Sequence, residues 1–145
     1  MLEPSYTWEP APHTADLAIA VSALEPTGLF YAALDGLLGT LEFDKSAPSG
    51  GVITEYHLHL SGCAIEPALV DFLNECIYVM EVEELVPISL HSLKYDGKTL
   101  DAVLRCRPVA ANETKEIGHI KAATYSDLEV RQVEGRFQAR IVFDT

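Results

Sequence analysis

Two short stretches at opposite ends of a 145-residue chain hold the side chains best suited to chemistry: His13-Thr14-Ala15-Asp16 and the closing Asp144-Thr145. Asp16 is a hard oxygen ligand of the kind Ca²⁺, Mg²⁺ or Mn²⁺ prefers, and His13 is either a second ligand or a hydrogen-bonding orienter. The same four residues also suit a turn at a loop-to-strand junction, where Asp and Thr satisfy backbone donors. With Thr145 as the last residue, the Asp144 side chain and the terminal carboxylate are two anions side by side. They repel unless a cation, an Arg or Lys, or free solvent is at hand. Arg140, four residues back on the same strand face, is too far along a strand to neutralise both. A divalent ion answers the repulsion, and so does a frayed, solvated terminus. Lys121, one ammonium in the apolar run His119 to Tyr125, either meets a partner or a phosphate, or packs its stem and leaves its head in water.

Other candidates are weaker. His57 and His59 share a strand face, but no Cys or carboxylate at a recognisable spacing completes a transition-metal set, so they read as solvent-facing. Cys76 and Cys106, with Cys63, fall within apolar patterns and read as core. Three cysteines cannot all pair and no two form a CxxC, which points to a reducing compartment. No nucleophile elbow, phosphate loop, dinucleotide fingerprint, HExxH or EF-hand loop is present.

The elements that must position these residues follow from periodicity. A proline-punctuated loop (Pro10, Pro12) precedes a strand over Leu17 to Val21. Leu29, Phe30, Ala33, Leu34, Leu37, Leu38 and Leu41 form a helical stripe entered through a Thr27 cap, with Gly36 and Gly39 as tolerated costs. Asp44 to Gly51 is a loop, and Val52 to Leu60 alternates as a half-buried strand. Ile65 to Met80 repeats at three and four residues as a second helix, with Pro67 allowed in its first turn. Ile88 to Tyr95 and Thr99 to Arg107 flank Asp96-Gly97 as a hairpin, Leu100, Ala102, Leu104 and Cys106 facing one way and Asp101, Val103, Arg105 and Arg107 the other. A polar loop near Asn112 leads to a strand over His119 to Ser126. A second hairpin, Leu128 to Val133 and Phe137 to Phe143, turns at Glu134-Gly135. The expectation is one α+β domain over residues 1–145: a mainly antiparallel sheet with two helices packed on one face.

Charge narrows the function classes. The net charge is −12, and it is unevenly spread. Met1 to Leu93 contains fourteen acidic residues and a single basic one, Lys45, for −13; Lys94 to Thr145 contains nine Lys or Arg against eight acids, for +1. Such a surface as a whole repels nucleic-acid phosphates and attracts a basic protein or divalent cations, or serves only solubility. No run approaches the ~20 apolar residues that cross a bilayer, and the first residues have neither a basic nor an apolar signal region. A cytoplasmic, non-membrane protein is expected.

Four segments together resemble one family, archease: HTAD (His13 to Asp16), VDFLNE (Val70 to Glu75), IKAATYSDLEV (Ile120 to Val130) and a closing RIVFD (Arg140 to Asp144). The resemblance covers essentially the whole chain. It implies a small acidic accessory protein, not itself an enzyme, that activates the GTP-dependent RNA-splicing ligase used in tRNA splicing and RNA repair. Activation speeds ligase guanylylation and turnover, and RNA is met only through the ligase. The implied divalent-metal site is Asp16 and Asp144 with an oxygen of Thr145. Lys121, with His13 and Thr124, is implied in activating the partner. The sequence departs from the family pattern at Ser126, often His, and at Phe72, often Trp; Ser126 is given no role. Oxygen-only ligands, two of them anionic, suit Ca²⁺, Mg²⁺ or Mn²⁺ rather than Zn²⁺. Two other classes are set against this: a chaperone-like scaffold for RNA-modifying enzymes, acting without metal, and a metal-dependent hydrolase built on Asp16, Asp144 and His13, which lacks a second acid–base group.

Overall fold

Tyr6–Ala11 (β1) and Leu17–Ala23 (β2) pair antiparallel, and β2 pairs in turn with the last strand, Arg136–Asp144 (β8). This is a computed structural model of the chain, and it describes residues 5–12, 17–46, 51–62 and 64–145. Ala122–Thr124 (β6) and Arg131–Val133 (β7) both pair with β8, which completes a five-stranded sheet. A second sheet of three strands has Thr99–Pro108 (β5) between Thr54–Ser61 (β3) and Leu85–Tyr95 (β4). All described pairings are antiparallel.

Helix α1 (Gly28–Leu41) packs on β1 and β2, while α2 (Ile65–Glu81) packs on β4 and β6, and the helices touch each other. Covered on both sides, α1 buries residues nearly all round its axis, Leu29, Phe30, Ala33, Leu37 and Leu38 among them. The two sheets meet through Phe30: its ring is 5.5 Å from Phe72 of α2, edge to face, and 5.5 Å from Tyr95 of β4. Full burial of Phe30 and Phe72 contributes roughly 1.5–3 kcal/mol each. Cys76 and Cys106 are free thiols in this core, and burial pushes Cys76 up and Cys106 up to about 11, which keeps both inert. Cys63 lies outside the described residues.

The α+β class, the two long helices and both hairpins are as the sequence predicts. At Asp96-Gly97, Asp96 Oδ1 accepts from Thr99 N at 2.7 Å and Lys98 N at 2.9 Å, which holds its carboxyl below the usual range. At the other turn both Glu134 (φ 50°) and Gly135 (φ 81°) are left-handed, as a two-residue hairpin loop requires.

Five expectations are corrected. The strands form two sheets, not one. Tyr6–Ala11 is a strand despite Pro10, because β1 is an edge and an edge strand needs no donor on its outer side. Thr27 makes no side-chain cap; α1 instead begins through tight turns, Gly28 N to Glu25 O (3.0 Å) and Leu29 N to Pro26 O (3.1 Å). The stretch expected as one strand from His119 is strand only over Ala122–Thr124. Before it come a 3₁₀ turn (Ala111–Glu113) and one helical turn, α3 (Thr114–Ile117), which bury Ile117 and Ile120. Finally, Arg107 does not face solvent. It keeps its alternate side of β5 but is only 5% exposed, because Glu113 folds back over that face and pairs with it.

Gly36 and Gly39 are more than tolerated costs. A Cβ on Gly36 would come within 2.6 Å of Ile19 Cδ1, and one on Gly39 would overlap Cζ2 of the Trp8 indole and lie 2.6 Å from its Cη2. The two glycines form the groove in which the only tryptophan rests on α1. Gly→Ala in a helix ordinarily stabilises by up to ~1 kcal/mol. Here Gly39→Ala is expected to destabilise by about 1–3 kcal/mol through overpacking. Urea unfolding followed by Trp8 fluorescence checks this, and an unchanged or raised midpoint would refute the groove.

Candidate functional site

The end of β8 is where the described candidate residues gather. Phe143 points into the core and is fully buried, so alternation turns Asp144 to the outer face, where it is exposed. Ala122 is its register partner, and Lys121 N donates to Asp144 O at 2.9 Å. The Asp144 carboxylate makes no ion pair among the described residues, and Thr145 beside it is exposed. Arg140 shares its face, yet four residues of strand are about 13 Å. An exposed, unneutralised carboxylate with further oxygen atoms in the next residue fits a hard divalent cation better than a transition metal.

Lys121 is exposed and makes no ion pair among the described residues, so its ammonium is available from solvent. Thr124 differs: its Oγ1 donates to Val142 O at 3.1 Å and accepts from Ser126 N at 3.3 Å. That hydroxyl holds the end of β6 onto β8. Ser126 is exposed at the turn that follows. His13 and Asp16, along with the rest of HTAD, lie outside the described residues, but Leu17, the residue bonded to Asp16, is described. Its Cα partner across the sheet is Phe143.

Sequence reasoning missed the residues that fix this corner. Asn74, in VDFLNE on α2, uses both halves of its amide on one residue of β6: Oδ1 accepts from Ala123 N at 2.7 Å and Nδ2 donates to Ala123 O at 3.2 Å. A side chain thereby completes a short edge strand that no further strand covers. In the first turn of the same helix, Glu66 Oε2 accepts from Val130 N at 3.1 Å. The available signal was a polar Asn on an otherwise apolar helix face.

A second network sets the approach to Lys121. Arg107 and Glu113, 5% and 8% exposed, form a two-pronged pair, Nη1 to Oε1 at 2.8 Å and Nη2 to Oε2 at 2.6 Å. Arg107 also donates to Asp44 O (3.0 Å) and Pro108 O (2.9 Å), and Ala110 N donates to Glu113 Oε1 (2.8 Å). These bonds anchor the segment that runs through α3 to Lys121. The guanidinium's hydrogen bonds hold the Glu113 carboxyl below its usual range, and Glu113 raises Arg107 in turn.

His57 and His59 are exposed, and His59 Nδ1 lies 2.6 Å from Asp101 Oδ1, as the solvent-facing reading expects. Among the described residues no three His, Cys, Asp or Glu converge to hold an ion. No helix among them is long and apolar enough to cross a membrane.

Comparison with known proteins defines the class. The model of the Archease protein family (MTH1598/TM1083) matches residues 8–145. The chain is similar to the archease of Methanosarcina mazei, 29% identical over 139 residues and 91% of each chain. It is also similar to that of Pyrococcus furiosus, 27% identical over 150 residues, 94% of this chain and 97% of the relative. In fold it resembles the Thermotoga maritima crystal structure described as an archease and possible chaperone. That likeness has a TM-score of 0.59 at 24% identity, over 94% of this chain and 96% of the other. It also resembles the solution structure of Methanobacterium thermoautotrophicum protein 1598, TM-score 0.64 at 17% identity, over 97% and 99%. The chain belongs to the archease family. It is thereby one of a family of non-catalytic accessory proteins.

Proposed function

We propose that this chain activates a GTP-dependent RNA-splicing ligase, raising the rate at which the ligase becomes guanylylated and turns over. Family membership supports the reading, and the observation that carries it is the register of β2 on β8. Leu17 and Phe143 are partners, and the two proposed ligands, Asp16 and Asp144, are each the next residue in sequence from one of that pair. The strand pairing therefore supports joining the two ends of the polypeptide in one site. Asp16, Asp144 and an oxygen of Thr145 would hold a divalent cation (Ca²⁺, Mg²⁺ or Mn²⁺). When bound, the ion supplies Lewis-acid stabilisation of charge on phosphate oxygens. The chain's own part is to present that corner on a rigid strand, with Lys121 at its rim and β6 locked by Asn74 and Thr124, so that an ammonium and two carboxylates enter the partner's nucleotide site pre-organised. The charge of −13 over residues 1–93 supports docking beside a basic RNA-binding groove rather than on RNA.

The test is a ligation time course with purified ligase, GTP and RNA in excess over the ligase. With this protein the reaction is expected to pass beyond one turnover per ligase; identical progress without it would refute activation. A second reading, a chaperone-like scaffold, is favoured by the description of the Thermotoga maritima structure as a possible chaperone. It predicts suppression of partner aggregation at stoichiometric amounts with no need of a metal, so that Asp144→Asn would protect as well as the wild type.

A further inference from the structure

On the outer face of the five-stranded sheet, away from the helices, a cleft of about 640 Å³ lies between β1, β2 and β8 and the segment 127–131. Register sets its floor: Glu9 pairs with Ala20 and Ala20 with Arg140, so two long charged side chains stand on either side of a methyl group. Nε of Arg140 is buried and has no hydrogen-bond partner, and no ion pair joins its guanidinium to any carboxylate among the described residues. Buried donors are nearly always satisfied in native proteins. Arg131, across the cleft, is already held by Glu129 at 2.9 Å.

We propose that this cleft seats an acidic side chain of the partner protein, whose carboxylate takes the Arg140 fork. A planar carboxylate accepts two parallel guanidinium N–H bonds, Nε–H among them, and would satisfy the orphaned donor. The lining selects a protein segment over nucleic acid. Arg131 and Arg140 face Glu9, Asp127 and Glu129 there, a balance of −1 that repels a polyphosphate and admits a peptide carrying both signs. The cleft shares its sheet face with Asp144, four residues along β8, so a segment lodged in it would orient that corner against the partner.

The inference rests on the proposed function in one respect, that the partner is the ligase, and its test is arranged to separate the two. In the isolated protein, the Arg140 Nε–H resonance is followed by ¹⁵N NMR during titration with acetate and with a single-stranded RNA dodecamer. Saturable movement with acetate, absent from Arg140→Lys and not produced by RNA, is expected. No response to acetate, or a response to RNA at equal or lower concentration, would overturn the cleft as a carboxylate seat. Calorimetry with the ligase then compares the wild type, Arg140→Lys and Asp144→Asn. Arg140→Lys is expected to weaken association roughly tenfold or more, and to recover full stimulation at saturating concentration, whereas Asp144→Asn binds but does not stimulate. Unchanged affinity in Arg140→Lys would overturn the partner assignment. A wild-type chain that stimulates no ligase refutes the function alone, and the acetate titration still decides the cleft.

Discussion

Asp144→Asn and Asp16→Asn are each expected to abolish stimulation of the ligase while leaving the fold intact. In an oxygen-only site with two carboxylates, affinity is tuned by ligand charge, and loss of one charge weakens the cation on the order of 100-fold. Asp144 is exposed and makes no ion pair among the described residues, so the change to asparagine removes no structural contact that would unfold β8. Lys121→Ala separates the ion from the ammonium: it should retain the cation and still lose stimulation. Turnover numbers in excess RNA, measured beside thermal melts of each variant, check all three. Full stimulation by the three variants would rule out the site.

The largest effect on stability is expected at Glu113. Glu113→Ala leaves the Arg107 guanidinium buried and uncompensated, which costs about 3–5 kcal/mol. Replacing both, as Arg107→Met with Glu113→Leu, is expected to cost less than either single change, because no charge is left stranded. The pair also confers a pH dependence. Arg107 holds Glu113 below its ordinary value of 4.5 in the fold, so on acidification the unfolded chain takes up this proton first. The stabilisation is therefore fully present above about pH 4.5 and is lost as pH falls through the lower, folded value. Urea midpoints of wild type and Glu113→Gln at descending pH should converge. A constant gap down to the acid limit would contradict the assignment.

What could be read in the sequence was local. Asp96-Gly97 and Glu134-Gly135 announce their hairpins because two adjacent residues determine the turn. The stripes from Leu29 to Leu41 and Ala68 to Met80 announce helices because the 3.6 period is internal to each. What was missed depends on residues far apart. The division into two sheets rests on β2 choosing β8, a partner more than a hundred residues away, and no alternation pattern encodes that choice. Pro10 concealed β1 because a proline is harmless only at an edge, and edges exist only once the sheet is assembled. Arg107 fits an outward position by alternation. Its burial depends on Glu113 returning through a 3₁₀ turn to meet it. Gly39 resembles a helix cost until Trp8 is laid across it. Of the candidate residues, Asp144 and Lys121 are exposed and joined through the main chain at one corner, a pairing across β8 that no local pattern encodes. Asn74, which pins that corner, is a buttress only when α2 is packed against β6.

Calorimetric titration of the purified chain with Ca²⁺ tests most directly whether Asp16 and Asp144 share one ion. The account predicts one ion per chain for the wild type, and loss of that binding in Asp16→Asn and in Asp144→Asn alike. Unaltered binding in the double variant would contradict it.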